Sequence, residues 1–342
     1  MSVLAAGMVT AVGFNYVSSC AAIWAGIKGI RQLNLWDAEN GDYLSGAKVD
    51  LPQWWEGIGK LADLVAPAIW ECLEAAKPES PASIPILLGI APLDRPHRLP
   101  GLSEEILDEV EWRLDLPHHP QSAVIALGNV SGVVALAQAR EMIERRLSRY
   151  CVIAGVDSFL QLEVVEAYMD QSRIMTKTNS NGFFPGEAGA AVLIGASGSG
   201  KDGELRVLGL GFGQEAATIG SDSPLRGTGM IEACRNALAE AGVAMHEIAC
   251  RNTDLNGEHY KFKEAMLAEG RLLKQLIERQ ELWHAAECVG EIGAAQVPCA
   301  LALSCSAGQK KFAPGLRTLC HFSGDGPERG ACVLEYLSRR TV

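Results

Sequence analysis

Apolar runs alternate along the chain with amphipathic stretches, the pattern of a mixed α/β fold with a largely buried sheet. The run Val3–Val12, closed by Gly13, predicts a buried first strand, and Tyr16–Ile30 a helix. Leu61–Ala75 has helical spacing, Ile84–Ile90 is a compact apolar strand, and Ser103 with Glu105 opens a helix running to about Leu114. Ser122–Leu127 predicts a strand, Ser131–Tyr150 a long helix with Val134, Leu136, Ala137, Ile143 and Leu147 on its apolar side, Cys151–Val156 a strand and Gln161–Met169 a helix. Farther on, Ala188–Ile194 and Leu205–Leu210 predict strands joined by a Gly195–Gly203 loop. Gly229–Ala241 and Glu258–Arg279 predict helices, the latter long and charged. Gly293–Ser306 is apolar all round, which implies complete burial. Arg317–Phe322 and Gly330–Tyr336 close the chain as strands, and Asn34–Gln53 is expected to be an irregular excursion or small cap.

Composition narrows the class. With 342 residues, 48% hydrophobic and 21% charged, the chain can bury one large core or two fused halves. Its 36 glycines anticipate tight turns and close backbone packing. A net charge of −11 with no basic stripe excludes a nucleic-acid surface. The first apolar run has no Lys or Arg ahead of it and is too short to span a bilayer, so no membrane association is expected.

Ten cysteines are present, but Cys20, Cys72, Cys151, Cys234, Cys299 and Cys332 sit in apolar runs, and no Cys-x-x-Cys pair occurs. They are expected to be buried free thiols in a reducing cytoplasm, with neither zinc nor a disulfide framework. His118–His119, between Pro117 and Pro120, is expected in an exposed loop. Gly195–Lys201 nearly spells a phosphate-binding loop, but Asp202 stands where Ser or Thr must hold magnesium, and a strand follows in place of a helix. No cofactor is expected.

Four segments, in order, resemble β-ketoacyl synthases of the thiolase-like class. Val3–Gly13 is similar to their opening strand with its Val-Thr-x-x-Gly turn. Ile153-Ala-Gly155 with Asp157 resembles the strand after the nucleophile helix. Gly182-Phe-Phe-Pro-Gly-Glu187-Ala-Gly-Ala-Ala-Val-Leu resembles the family's Gly-Phe-x-x-Gly-Glu-Gly-Ala stretch, and Gly290 with Gly293-Ala-Ala295 the segment carrying its second catalytic histidine. The resemblance implies a thiolase fold: two pseudo-repeated α/β halves, 1–200 and 201–342, stacked in five layers, α-β-α-β-α.

The same resemblance locates what is missing. The family's Ala-Cys-x-Thr-Gly falls on Gly128-Asn129-Val130-Ser131-Gly132, so an amide takes the nucleophile's place. Counting back from Glu264 puts Thr253, or Asp254 with a one-residue gap, at the first histidine. Glu291 follows Gly290 at the second, where its charge would oppose a developing enolate. Pro327 and Glu328 break the glycine-rich turn Gly324–Glu328 that would supply an oxyanion amide.

The expectation is therefore a catalytically silent protein acting by protein or acyl-group binding, of the kind that accompanies bacterial secretion effectors, type VI systems included, as adaptor or co-chaperone. The alternatives are a chain-length-factor-like partner of an active ketosynthase, and an acyltransferase or hydrolase with relocated residues such as another cysteine or Asp254. In either binding case the fold implies a homodimer or heterodimer through about Ser122–Leu127, an apolar strand that would be an open edge if left unpaired.

Overall fold

The computed structural model describes residues 1–77, 80–198 and 203–338. In chain order its elements are β1 (Ser2–Thr10), α1 (Tyr16–Trp24), β2 (Arg31–Asp37), β3 (Asp42–Gly46), α2 (Ile58–Ala75), β4 (Ile86–Gly89), α3 (Leu102–Leu114), β5 (Ala123–Ile125), α4 (Ser131–Glu144), β6 (Tyr150–Ser158), α5 (Leu162–Asp170) and β7 (Glu187–Gly195). There follow β8 (Glu204–Gln214), α6 (Thr228–Ala241), β9 (Cys250–Thr253), α7 (His259–Leu272), β10 (Glu281–His284), α8 (Ala286–Val289), α9 (Gln296–Gln309), β11 (Arg317–Ser323) and β12 (Glu328–Leu337).

Ten strands form one sheet in the order β10-β9-β11-β12-β8-β1-β7-β6-β4-β5. Outward from the middle, β1-β7-β6-β4-β5 and β8-β12-β11-β9-β10 repeat one plan: the first strand is flanked by the last, then the fourth, second and third. The two runs meet at a short seam, Ser2 opposite Arg206 and Val3 opposite Leu205.

Alternation of side chains across these strands builds three apolar layers. On β6, Val152, Ala154 and Val156 pack with α2 and α3, while Cys151 and Ile153 turn to the opposite face. On β12, Cys332 and Leu334 turn to that same central layer, while Ala331 and Val333 meet α6. α4 and α9 fill the centre, and Gln296–Gly308 of α9 is wholly buried, as its apolar sequence required. The fold is the expected α/β sandwich of five layers. Glycine permits the close stacking: a Cβ on Gly211 of β8 would lie 2.0 Å from the Ala233 carbonyl oxygen of α6, and one on Gly7 of β1 2.0 Å from that of Ala68 in α2.

Several expected elements are shorter than the patterning suggested. The first helix stops at Ala25 because Gly26 turns left-handed, at φ 70°. The helix from Ser131 ends at Glu144, with Arg146 at φ 58°, so Tyr150 begins a strand. The charged helix ends at Leu272 and leaves room for β10, which the sequence reading did not anticipate. Asn34–Gln53 is not irregular throughout: β2 and β3 pair there as an antiparallel hairpin, a two-stranded sheet apart from the large one, and beyond the hairpin 47–53 lacks regular structure. Of the pair His118–His119, His118 is exposed, as expected, and His119 is half-buried. Residues 199–202 of the glycine-rich loop, Lys201 and Asp202 among them, lie outside the described residues, and β8 follows as a strand. Among the described residues no helix is long and apolar enough to cross a membrane.

Candidate functional site

Two helix heads meet at the centre of the molecule. β5 leads into a 3-10 turn, Gly128–Val130, in which Gly128 takes φ 52° before α4 begins. Ser131 Oγ fastens that turn, donating to the Ile125 carbonyl at 2.9 Å and accepting from the Leu127 N–H at 3.1 Å. The second half repeats the device. β10 and α8 lead into a turn at Gly293–Ala295, with Gly293 at φ 49°, and then α9. A Cβ on Gly132 would meet Val297 Cβ at 2.4 Å, so the helices touch at their first turns.

Asn129, buried at the head of α4, reaches across this junction. Its Nδ2 donates to Asp254 Oδ2 at 3.0 Å and to Glu291 Oε1 at 3.3 Å. Asp254 Oδ2 also accepts from Lys261 Nζ at 2.9 Å and from the Ser323 N–H at 2.9 Å. Glu291 Oε1 accepts from the Gly293 N–H at 2.9 Å, and Oε2 from Asn256 Nδ2 at 2.6 Å, with Lys261 Nζ at 3.4 Å. Buried carboxylates persist only when so paired and hydrogen-bonded.

Burial works against the Lys261 ammonium, but Asp254, Glu291 and Glu258 together outweigh it and hold its pKa above the ordinary lysine value. Lys261 thus belongs to the site, although the sequence alone marks it only as part of the long charged helix expected over Glu258–Arg279. The signal was there: Glu258, Lys261 and Glu264 recur at i, i+3 and i+6, one face of α7.

Of the two residues left open for one position, Asp254 faces Asn129. Thr253 turns away, its Oγ1 donating to the Trp283 carbonyl at 3.3 Å. The structure therefore brings Asn129, Asp254 and Glu291 together and leaves Thr253 beside them.

Above the cluster lies a cavity of about 220 Å³, with Asn129, Lys261 and Glu291 in its wall beside Leu93, Phe159 and Phe183. The loop 324–328 closes one side. Arg329, itself buried, donates through Nη1 to the Gly324, Gly326 and Glu328 carbonyls at 3.2, 2.7 and 2.8 Å, and its Nε lies 2.7 Å from Glu264. Arg173 holds the same loop from the other side, forked onto Asp325 at 2.8 Å through both terminal nitrogens while Nε and Nη2 reach Glu258 at 2.7 and 3.1 Å. Burial alone would raise the Asp325 pKa, but Arg173, with Lys261 and Arg95 behind it, takes it well below the usual carboxylate range.

Arg95 lies 3.9 Å over the Phe159 ring and pairs with Asp157 at 2.9 and 2.8 Å. Glu187, from the Gly182–Leu193 motif, is equally engaged, by Lys60, Ser158 Oγ and the Val49 N–H.

No cysteine or histidine lines this cavity among the described residues. All ten cysteines are buried and free, and burial pushes the thiols of Cys20, Cys151 and Cys234 up to about 12 and that of Cys305 to about 11. Outside the cavity, Asp108, Glu111 and His118 bring donor atoms within 4.8 Å of one another on α3 and the loop after it, two of the three being exposed.

No protein-family model matches the chain, and no curated protein does either. Solved structures do. The ketosynthase from module 6 of the bacillaene synthase of Bacillus subtilis 168 superposes with a TM-score of 0.76 at 13% identity, over 98% of this chain and 72% of that one. The ketosynthase ApeO in complex with its chain length factor ApeC, from Xenorhabdus doucetiae, gives 0.75 at 14% identity over 98% of each. A β-ketoacyl synthase from Burkholderia phymatum STM815 gives 0.72 at 15%, over 98% and 99%. At such identities the likeness is one of fold: this chain has the thiolase-like architecture of ketosynthases and chain length factors.

Proposed function

We propose that this chain is a non-condensing subunit of ketosynthase fold that works by binding another protein. The observation that carries the reading is Asn129, whose amide at the head of α4 is tied to two carboxylates and offers no nucleophile. An amide cannot take an acyl group from a thioester, and Asp254 and Glu291 present anions where a developing enolate needs donors. The cavity is small, with Lys261, Glu291, Arg173 and Asp325 in its wall beside Leu93, Phe159 and Phe183, and its size suits a long acyl chain poorly.

The partner is expected at the edge of the sheet. Among the described residues β5 pairs with no strand but β4 and stands at the edge of the sheet, with Ala123 and Val124 half-buried. An open apolar edge is a template for another strand. The presence of a ketosynthase–chain length factor complex among the structural neighbours supports a chain-length-factor-like role beside an active ketosynthase. The secretion-adaptor reading rests on the sequence resemblance. In both readings, residues 1–200 and 201–342 form the two halves and the ten thiols stay reduced in the cytoplasm. Relocated chemistry draws no support from the geometry, because Asp254 Oδ2 is already engaged by three donors.

Incubation with malonyl- and acyl-thioesters followed by intact-mass measurement should show no adduct; a covalent acyl-protein would overturn the silence. Purification from the native host should recover a ketosynthase or a secretion effector with the chain, and recovery of neither would remove the binding role.

A further inference from the structure

We propose that Trp24, Trp283, Phe312 and Glu281 form a binding site for a small molecule bearing a quaternary ammonium group. The site lies away from the Asn129 cavity, at the far end of the sheet, where edge strand β10 places Glu281 and Trp283 two residues apart and hence on one face. Trp24, the last residue of α1, forms the floor. Trp283 stands against it at 70° with ring centres 4.7 Å apart, and Phe312, in the turn after α9, at 77° and 4.9 Å. The two outer rings are thus each near-perpendicular to one indole, and with Glu281 and Pro314 they line an open depression of about 330 Å³.

Each feature matches that cation. Aromatic faces attract a positive charge through their quadrupole, Trp most strongly, and a methylated ammonium is soft and without N–H donors to satisfy. Glu281 supplies the opposing charge; its present partner, Arg279, is an exposed surface cation that contributes little. Among the described residues no Lys or Arg lies over any of the three rings, whereas Arg95, Arg113, Arg149 and Arg173 each cover another ring of the protein. Trp24 Nε1 is buried without a hydrogen-bond partner among the described residues. A phenylalanine would avoid that unsatisfied donor, so an indole there is costly as mere packing and useful as a π surface. The cavity volume is at the low end for ligand pockets, roughly 300–1,000 Å³, which fits a free small molecule such as choline or a betaine.

The test is calorimetric titration of the full chain with choline, tetramethylammonium and 3,3-dimethylbutan-1-ol, the uncharged isostere of choline, with phosphatidylcholine vesicles as a separate arm. Choline and tetramethylammonium should bind saturably and the isostere should not. Phe312→Ala, at a residue 43% exposed and so safe for folding, and Glu281→Gln should each weaken binding about threefold or more. Equal binding of choline and its isostere, no saturable binding in the millimolar range, or binding to vesicles without binding of free choline would each overturn the proposal.

Discussion

Lys261 Nζ lies 2.9 Å from Asp254 Oδ2, and both side chains are all but excluded from solvent. The pair makes two neighbouring carboxylates, Asp254 and Glu291, compatible with a buried helix junction. Lys261→Met should therefore destabilise the protein by about 3–5 kcal/mol at neutral pH, the usual cost of leaving a buried charge uncompensated. Urea unfolding measures it. The folded state raises the lysine pKa, so its contribution is complete below the unfolded value of 10.5 and fades as the pH climbs beyond it. The variant should lose less stability on that alkaline limb than the wild type.

Restoring a thiol alone should not restore condensation. In Asn129→Cys the new side chain faces Asp254 and Glu291, which oppose a thiolate, and no imidazole lines the cavity among the described residues. Carbon dioxide release from malonyl thioesters should stay at background, and iodoacetamide should label the introduced thiol more slowly than a free cysteine. Turnover by this single variant would sink the silent-subunit reading.

His321, on β11, is wholly buried, and burial together with the charge of Arg251 takes its pKa down to about 3 from 6.5. Below pH 6.5 the unfolded chain binds a proton that the folded chain refuses, so stability falls as the pH drops from there toward 3. The slope from this one group is about 1.4 kcal/mol per pH unit. Replacing His321 with Leu should flatten the acid limb of a denaturation series over that window.

Val124 sits on β5, which among the described residues pairs with no strand but β4. A charge there blunts strand addition, so Val124→Lys should leave the fold intact and shift the chain from dimer to monomer in sedimentation equilibrium. A wild type that sediments as a monomer at micromolar concentration and also recovers no partner protein from the native host would contradict the proposed interface.

Elements that carry their own apolar period were legible from the chain alone: β1, α2, α6 and α9 lie within a few residues of their expected bounds. Where a left-handed residue or a tertiary contact decides the boundary, local patterning ran on too far, as at Gly26 and Arg146. β9 and β10 have four residues each and gain their identity from pairing with one another and, for β9, with β11, which no local window contains. At the site, Asn129 and Glu291 could be named because glycines anchor them to a resemblance, and Asp254, as one of two alternatives, by its distance from Glu264. Arg173 and Arg329 could not, since a charged residue in a helix or loop ordinarily means solvent, and Lys261 is marked only by its spacing from Glu258 and Glu264. Arg173 and Arg329 are drawn inward by partners 152 and 65 residues away, and Lys261 by Asp254 close by and Glu291 30 residues on.

The seam at β1 also sets an order of events during synthesis. The N-terminal strand pairs with β7, Ser2 opposite Gly195, and touches β8 at Leu205. It is made before both neighbours and can be seated only once they exist. Closing a loop of about 190 residues in place of about 20 costs roughly 2 kcal/mol more in chain entropy. Until then Val3, Met8 and Val9, all buried at the end, have no sheet to enter. The nascent chain thus carries an unseated apolar strand until its partners in β7 and β8 have been made, and its yield should depend on chaperone supply more than its final stability would suggest.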